Sequence, residues 1–146
     1  MTAKKRSPSG RSTAKRSSVS EIAPGVYVGG WNDAVRFEGA RFCVLDEAAD
    51  EMPADAHRPI YDETKDAPIK ANLDEVADLV RGARSRGKPV LLFCGHGIRR
   101  SPLAGAWYLH RTEGLTLDAA YDRIRSVRPK VEHVREWVGH WQLLEE

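Results

Sequence analysis

Residues 94–101, CGHGIRRS, bring together a cysteine, two glycines, two arginines and a serine. A continuous apolar run at 89–93 precedes them, and a helical pattern starts near Ser101. The segment is therefore predicted to be a loop between the carboxyl end of a strand and the amino end of a helix. Unpaired amides at a helix start, together with the helix dipole, favour a bound anion. The loop is accordingly predicted to bind phosphate.

The residue types in this loop indicate how a phosphoryl group would be held and attacked. Gly95 and Gly97 allow the backbone to curl with its amides facing inward. The planar fork of Arg100 can bind two phosphate oxygens at once. Cys94 lies in the same positive field, which favours the thiolate, and a thiolate beside bound phosphate is a nucleophile. The predicted phosphate-binding residues are Gly95, His96, Gly97, Ile98, Arg99 and Arg100.

The elements that must position this loop alternate between strand and helix patterns. Such alternation predicts an α/β domain with a largely parallel central sheet flanked by helices. The strand before the loop is apolar throughout, as expected for a strand buried on both faces. Strands are predicted at 25–30, 41–48 with its end at Asp46, 57–63 and 89–93, and helices at 32–39, 69–86, from Ser101, at 116–129 and at 131–144.

Charge is distributed unevenly along the 146 residues. Six of the 23 Lys and Arg residues lie in residues 1–20, which contain no acid, so residues 21–146 carry 17 basic and 21 acidic residues. Residues 1–20 are polar and basic, and they predict a disordered, solubilising tail with a weak attraction for nucleic acids or anionic surfaces. Residues 21–146 are predicted to form one domain, and a monomer is expected.

Composition also bounds the location and the chemistry. No apolar run approaches the roughly 20 residues of a membrane helix. The two cysteines, Cys43 and Cys94, are too few for a disulfide framework and suit a reducing, cytoplasmic location. Cys43 is predicted to be a buried strand residue, with a regulatory disulfide to Cys94 as the alternative. The histidines show no metal-ligand clustering, so neither a metal nor a cofactor is expected.

The pattern Cys-x-x-Gly-x-x-Arg-Ser resembles the phosphate-binding loop of cysteine-dependent protein phosphatases, in particular the compact dual-specificity group. The resemblance extends over residues 21–146 and includes EIAPGVYVGGWNDA, RFCVLDEA and the segment RRSPLAGAWYLHRTEGLTLDAAYDRIRSVRP. It implies a two-step reaction in which the cysteine takes the phosphoryl group, an aspartic acid protonates the leaving oxygen, and water releases phosphate. The expected substrates are phosphotyrosine and phosphothreonine proteins.

Carried onto this sequence, the resemblance implies that Cys94 is the nucleophile, that Arg100 binds the phosphoryl group and that Ser101 steadies the departing thiolate. The acid is expected on a mobile polar loop, with a pKa raised enough to hold a proton. Asp62 and Asp66 are the candidates. Asp62 is preferred because of its placement between the third strand and the long helix.

Two positions depart from the pattern and leave other functions open. Phe93 stands where most relatives have a histidine, which favours a slower enzyme or a non-catalytic phosphoprotein-binding relative. His96 resembles the Cys-x-His-Gly loop of RNA 5′-triphosphatases, and Arg99 suits a multiply charged substrate. RNA 5′-triphosphatase and phosphoinositide phosphatase are therefore the enzyme alternatives. If the loop is counted to Arg99, it has the form Cys-x4-Arg and resembles the loop of rhodanese sulfurtransferases. The two helices predicted after the loop fit the phosphatase pattern better than this rhodanese pattern.

Overall fold

The computed structural model describes residues 18–46, 52–132 and 135–145 of the chain. Strands and helices alternate along most of these residues. The strands are β1 (Ser20–Ala23), β2 (Val26–Gly30), β3 (Ala40–Cys43), β4 (Ala56–His57), β5 (Tyr61–Asp62), β6 (Ala67–Pro68) and β7 (Val90–Cys94). The helices are α1 (Trp31–Arg36), α2 (Lys70–Ser85), α3 (Arg100–Glu113), α4 (Leu117–Val127) and α5 (Trp141–Glu145), with a 3₁₀ helix, η1, at Arg135–His140.

The central sheet has five strands in the order β1-β2-β7-β3-β4. β1 pairs with β2 in antiparallel fashion, whereas the three other pairs, β2–β7, β7–β3 and β3–β4, are parallel. All five residues of β7 are buried, as its continuous apolar sequence predicted. The predicted α/β fold with a largely parallel sheet is therefore confirmed.

Helices cover both faces of this sheet, and the two apolar clusters differ in size. On one face, α1 packs over a small cluster that includes Ala34, Leu91 and Phe93. On the other face, α2, α3 and α4 bury the main core, which includes Leu92 and Trp107. Successive residues of β7 point to opposite faces, because side chains alternate along a strand. The strand therefore contributes to both clusters and fixes where its last residue points.

Local signals in the sequence set the ends of the two helices that follow β7. Pro102 lies in the first turn of α3, where its missing N–H is harmless. The helix ends at Gly114, which has a φ of +73° and donates its N–H to the His110 carbonyl oxygen. The hydroxyl of Thr116 accepts a hydrogen bond from the Ala119 N–H at 3.1 Å and so caps the amino end of α4.

Two predicted elements differ from the structure, and two strands were not predicted. The strand predicted at 57–63 is wrong: β4 ends at His57, and β5 pairs with β6 in a separate two-stranded sheet. The helix predicted at 131–144 is also wrong, because residues 135–140 are 3₁₀ and only residues 141–145 are α-helical. The sequence analysis also missed β1 and β6.

The predicted tail falls largely on residues 1–17, which lie outside the described residues. The fold already includes Ser20, the first residue of β1, and Ser18, whose hydroxyl donates to Asp33. Within the described ranges, no helix is both long and apolar enough to cross a membrane.

Candidate functional site

Cys94 lies at the carboxyl end of β7, and the start of α3 faces its sulfur. The side chain is buried, with 4% of its surface exposed. The Sγ atom accepts a hydrogen bond from the Ser101 N–H at 3.3 Å, and the Ser101 hydroxyl lies 3.4 Å from the same sulfur. An N–H donor and the positive end of a helix dipole both stabilise negative charge on sulfur.

Ser101 is fully buried and connects the sulfur to a neighbouring strand. Its hydroxyl donates a hydrogen bond to the Gly29 carbonyl oxygen at 3.1 Å when the Cys94 thiol donates to it. If the sulfur loses its proton, the single hydroxyl hydrogen can turn to the sulfur instead. Ser101 can therefore exchange one acceptor for the other as the charge on Cys94 changes.

The loop at residues 95–99 rests on the end of β2, and glycines allow its close approach. The Trp31 N–H donates to the Gly95 carbonyl oxygen at 3.0 Å. A Cβ atom added to Gly30 would lie 2.7 Å from that same oxygen. Gly97 has a φ of +72°, in the left-handed region that glycine adopts without strain. Gly30 thus leaves room for the loop, and Gly97 lets the loop backbone turn near the sulfur.

The remaining residues of the predicted cradle line its outer side. His96 is exposed, and Ile98 is half-buried with its carbonyl oxygen accepting from the Glu132 N–H at 3.0 Å. The Arg99 guanidinium lies 5.9 Å from the centre of the Trp137 ring, and its Nε is 4.0 Å from a Glu132 carboxylate oxygen. Arg99 therefore adds positive charge beside the loop rather than within it.

Arg100 is held by two acidic side chains. Its Nε and Nη2 donate to the two carboxylate oxygens of Asp46 at 3.1 and 2.9 Å, and Nη2 also donates to Glu63 at 3.2 Å. The side chains of Arg100 and Asp46 are 20% and 25% exposed, whereas that of Glu63 is 72% exposed. Asp46 thus occupies the Nε and Nη2 edge of the guanidinium in a bidentate pair.

Two stacked aromatic rings lie near the guanidinium of Arg100. The rings of Tyr61 and Trp137 stack with centroids 4.2 Å apart, and the guanidinium lies 5.7 Å and 6.0 Å from their respective centres. The Tyr61 hydroxyl donates to the Asp66 carboxylate. Burial and this hydrogen bond raise the pKa of Tyr61 to about 12, so the hydroxyl keeps its proton. The carboxylate of Asp66, the second candidate for the acid, therefore accepts a hydrogen bond from Tyr61.

Asp62 lies at the end of β5, and its carboxylate is held by the turn that follows. Oδ1 accepts hydrogen bonds from the Thr64 hydroxyl at 2.6 Å, the Thr64 N–H at 2.9 Å and the Lys65 N–H at 3.3 Å. The bond from the Thr64 hydroxyl is the largest cause of a lowered pKa for Asp62. The expectation of a raised pKa is wrong for this arrangement, because all three donors favour the ionised form.

Phe93 points away from the sulfur of Cys94. It is fully buried and meets the Trp31 ring edge to face, with centroids 6.1 Å apart. Cys43 belongs to the same small cluster, and burial is the main cause of the raised pKa of its thiol. Both cysteines are free, and Cys94 belongs to the cluster on the other face. Cys43 is thus the predicted buried strand residue, and the structure does not contain the alternative disulfide.

Three charged residues at this site were missed by the sequence analysis: Asp46, Glu63 and Arg128. The Arg128 side chain reaches the loop from the end of α4 and donates to the Gly97 carbonyl oxygen at 2.7 Å. Asp46 could have been found, because it follows a parallel strand, and the carboxyl ends of parallel strands meet at one edge of a sheet. Arg128 follows a helix, and no local pattern connects it with the loop.

Comparisons with known proteins agree with this arrangement. Residues 45–146 match the family described as "Dual specificity phosphatase, catalytic domain". The chain belongs to this dual specificity phosphatase family. It is 30% identical over 131 residues to mouse "Dual specificity protein phosphatase 12", with 80% of this chain and 39% of the mouse protein covered. The chain therefore spans about two fifths of the length of this relative.

Shorter members of the dual specificity phosphatase family are matched over more of their length. Human "Dual specificity phosphatase 28" is 26% identical over 121 residues, covering 76% of this chain and 68% of the human protein. The crystal structure of human DUSP28 has a TM-score of 0.70 at 23% identity and covers 88% of this chain and 93% of that one. The structural likeness confirms the fold.

Proposed function

We propose that this protein is a phosphatase that hydrolyses phosphate monoesters of phosphotyrosine and phosphothreonine proteins through a cysteinyl-phosphate intermediate. The observation that carries the proposal is the position of the Cys94 sulfur, 3.3 Å from the Ser101 N–H at the start of α3. A sulfur in this field is a nucleophile directed at any phosphoryl group that the loop binds. Membership of the dual specificity phosphatase family supports the same chemistry.

In the first step, the Cys94 thiolate attacks phosphorus. An S–P bond forms while the P–O bond to the leaving group breaks, and Asp62 gives its proton to the leaving oxygen. Arg100 and the amides of residues 95–99 stabilise the charge on the other phosphoryl oxygens. The products of this step are the free alcohol or phenol and the phosphocysteine.

In the second step, water attacks the phosphorus of the phosphocysteine. The S–P bond breaks, the sulfur leaves as a thiolate, and Asp62, now ionised, takes the proton from the water. The Ser101 hydroxyl donates to the departing sulfur, for which its 3.4 Å distance is suitable. Inorganic phosphate then leaves, and the enzyme returns to its starting state.

Asp62 can act as the acid only if its contacts change when substrate binds. The hydrogen bonds from Thr64 and Lys65 hold the ionised form. A proton on Asp62 requires that at least one of them be replaced by the leaving-group oxygen. This makes the turn after β5 the part of the site that we expect to move.

The substrate class rests on the family, and the loop keeps two alternatives open. Arg99 and the exposed His96 add polar groups beside the cradle, which would suit an RNA 5′-triphosphate or a phosphoinositide headgroup.

A cytoplasmic location and a monomeric state complete the proposal. The first is supported by the two free cysteines, which are typical of reducing compartments.

The decisive experiment is a substrate panel measured with wild type and Cys94→Ser. The panel contains an aryl phosphate, phosphotyrosyl and phosphothreonyl peptides, a phosphoinositide and 5′-triphosphate RNA, each with and without a chelator. We expect turnover of the aryl phosphate and the peptides that persists in chelator and is lost in Cys94→Ser. Preference for the RNA or the lipid would change the substrate class.

Two further outcomes would replace the proposal. Binding of phosphopeptides without turnover by wild type would indicate a binding module. Sulfur transfer from thiosulfate to cyanide without phosphatase activity would indicate a rhodanese.

A further inference from the structure

Arg128 is a buried cation that contacts the phosphate-binding loop directly. It follows the last residue of α4, and its N–H donates to the Ile124 carbonyl oxygen at 2.8 Å, so the helix end fixes its backbone. Only 3% of the residue is exposed. Burial of a guanidinium is unfavourable unless its donors are satisfied, so the partners of this side chain indicate what it is for.

All three guanidinium nitrogens of Arg128 donate hydrogen bonds. Nε donates to the Gly97 carbonyl oxygen at 2.7 Å, and Nη2 donates to the His96 carbonyl oxygen at 3.2 Å. Nη1 donates to the Ser18 carbonyl oxygen at 2.6 Å and to the Ser20 hydroxyl at 3.0 Å. One side chain therefore connects two consecutive peptide groups of the loop with the segment that leads into β1.

These contacts fix the direction of the loop amides. The C=O and the following N–H of a trans peptide point in opposite directions, and the described residues contain no cis peptide bond. Because the His96 and Gly97 carbonyls point at Arg128, the N–H groups of Gly97 and Ile98 point away from it. An anion inside the loop needs such inward N–H groups.

The loop backbone lies directly against the guanidinium. A Cβ atom added to Gly97 would lie 2.5 Å from Nη2 of Arg128 and 2.7 Å from the Gly29 carbonyl carbon. Burial lowers the pKa of Arg128, while the charges of Asp33 and Cys94 act in the opposite direction. A negative charge on Cys94 thus favours the charged form of Arg128.

We propose that Arg128 is a positioning residue that holds the His96 and Gly97 peptide groups in the phosphate-binding orientation and ties them to Ser18 and Ser20. This inference rests on the proposed function, because the loop must bind a phosphoryl group for the orientation to matter. Arg128 reaches that group only through the loop backbone.

The test compares Arg128→Lys, Arg128→Met and Ser20→Ala with wild type. Lysine keeps the charge but replaces the planar fork with a single ammonium, methionine keeps the length without charge or donors, and Ser20→Ala removes one of the four hydrogen bonds. The matched controls are Arg125→Met, an exposed arginine of α4, and Ser126→Ala, whose exposed hydroxyl donates to the Arg123 carbonyl oxygen.

Three quantities are measured for each variant: the dissociation constant of inorganic phosphate by calorimetry, kcat and KM for an aryl phosphate, and the rate of Cys94 alkylation by iodoacetamide at pH 7. We expect phosphate to bind roughly tenfold more weakly to Arg128→Met, with partial rescue in Arg128→Lys. Ser20→Ala should lose about twofold to threefold. Alkylation should slow in the same order, and both controls should match wild type.

Thermal unfolding separates positioning from general stability. If Arg128→Met is folded and binds phosphate as wild type does, the inference is overturned. If Arg128→Met does not fold, unchanged phosphate affinity in both Arg128→Lys and Ser20→Ala overturns it. A wild type that binds phosphate without turnover would refute the proposed function while the affinity series still tests Arg128, whereas a wild type that binds no phosphate would refute both.

Discussion

Replacement of Asp46 by asparagine tests how the protein restrains Arg100, the arginine that we propose binds phosphate. Asp46 accepts from Nε and Nη2 of Arg100 at 3.1 and 2.9 Å, which is the edge that a bidentate phosphate would also use. A substrate that binds through this edge must therefore displace the Asp46 carboxylate before Arg100 can bind two of its phosphate oxygens. We expect Asp46→Asn to bind phosphate more tightly than wild type does.

The size of the effect follows from the strength of the Asp46–Arg100 pair. Exposed ion pairs contribute about 0.2–1 kcal/mol, and this pair lies at the upper end because it is bidentate and its side chains are only 25% and 20% exposed. A pair worth about 1 kcal/mol is formed roughly five times more often than it is broken. Removing it should lower the phosphate dissociation constant by about fivefold.

The assay is the dissociation constant of inorganic phosphate, measured with kcat and KM for an aryl phosphate. Two variants are controls. Glu63→Gln removes a single contact from a side chain that is 72% exposed, and we expect less than about a twofold change. Asp78→Asn removes an exposed carboxylate that pairs with Arg81 on α2, and it should change neither quantity.

The opposite outcome would refute this reasoning. If Asp46 aligns Arg100 for a phosphate that binds through the other edge of the guanidinium, Asp46→Asn will weaken phosphate binding and raise KM. A fall in affinity of the same size would therefore show that the carboxylate supports the arginine instead of competing with the substrate.

Three other predictions follow from single contacts. Thr64→Val removes the hydroxyl that lowers the pKa of Asp62, so the falling basic limb of kcat/KM should move to higher pH, and an unmoved limb would remove Asp62 from the role of acid. Burial raises the pKa of Asp74, but hydrogen bonds from Trp107 and a lysine together with a nearby arginine lower it below its ordinary value. Asp74→Asn should therefore reduce the free energy of unfolding by about 1–2 kcal/mol at pH 7. The difference from wild type, measured by urea titration, should shrink as the pH falls below the ordinary aspartate pKa of 3.8 and disappear only below the lowered pKa of folded Asp74. Gly30→Ala would place a Cβ atom 2.7 Å from a loop carbonyl oxygen, so kcat/KM should fall roughly tenfold or more, and a wild-type value would show that the loop adapts.

The parts of the fold that the sequence predicted are those whose signals are local. The continuous apolar run of β7, the glycines of the loop and the helical spacing of 69–86 each act over a few residues, and the structure contains a strand, a tight loop and a helix there. The prediction of a helix at 131–144 was wrong because it also relied on local spacing alone. The spacing of Trp137 and Trp141 fits an α-helix, but Trp137 lies in the 3₁₀ helix and stacks on Tyr61. Local spacing does not distinguish a 3₁₀ helix from an α-helix in this segment.

The parts of the site that could not be predicted depend on residues far apart in the sequence. Asp46 and Arg100 are separated by 54 positions, and Arg128 lies 31 positions from the loop carbonyl that it binds. No spacing rule gives either pairing. Asp46 follows the strand beside β7, so the parallel sheet could have placed it near the loop, whereas Arg128 follows a helix and no local pattern connects it with the loop. The position of the loop between a strand and a helix was therefore predictable, whereas the contact of Arg128 with it was not.

Phe93 shows how strand geometry decides which residues influence Cys94, the proposed nucleophile. Side chains alternate along β7, so Phe93 packs against Trp31 on one face while Cys94 belongs to the core on the other. Residue 93 therefore acts on the sulfur only through the backbone of the sheet. The groups that act on the sulfur directly are the N–H and hydroxyl of Ser101, with the buried charge of Arg128 nearby. A phenylalanine before the cysteine leaves all of these in place, and we therefore expect the reactivity of Cys94 to depend on the start of α3 and the end of α4.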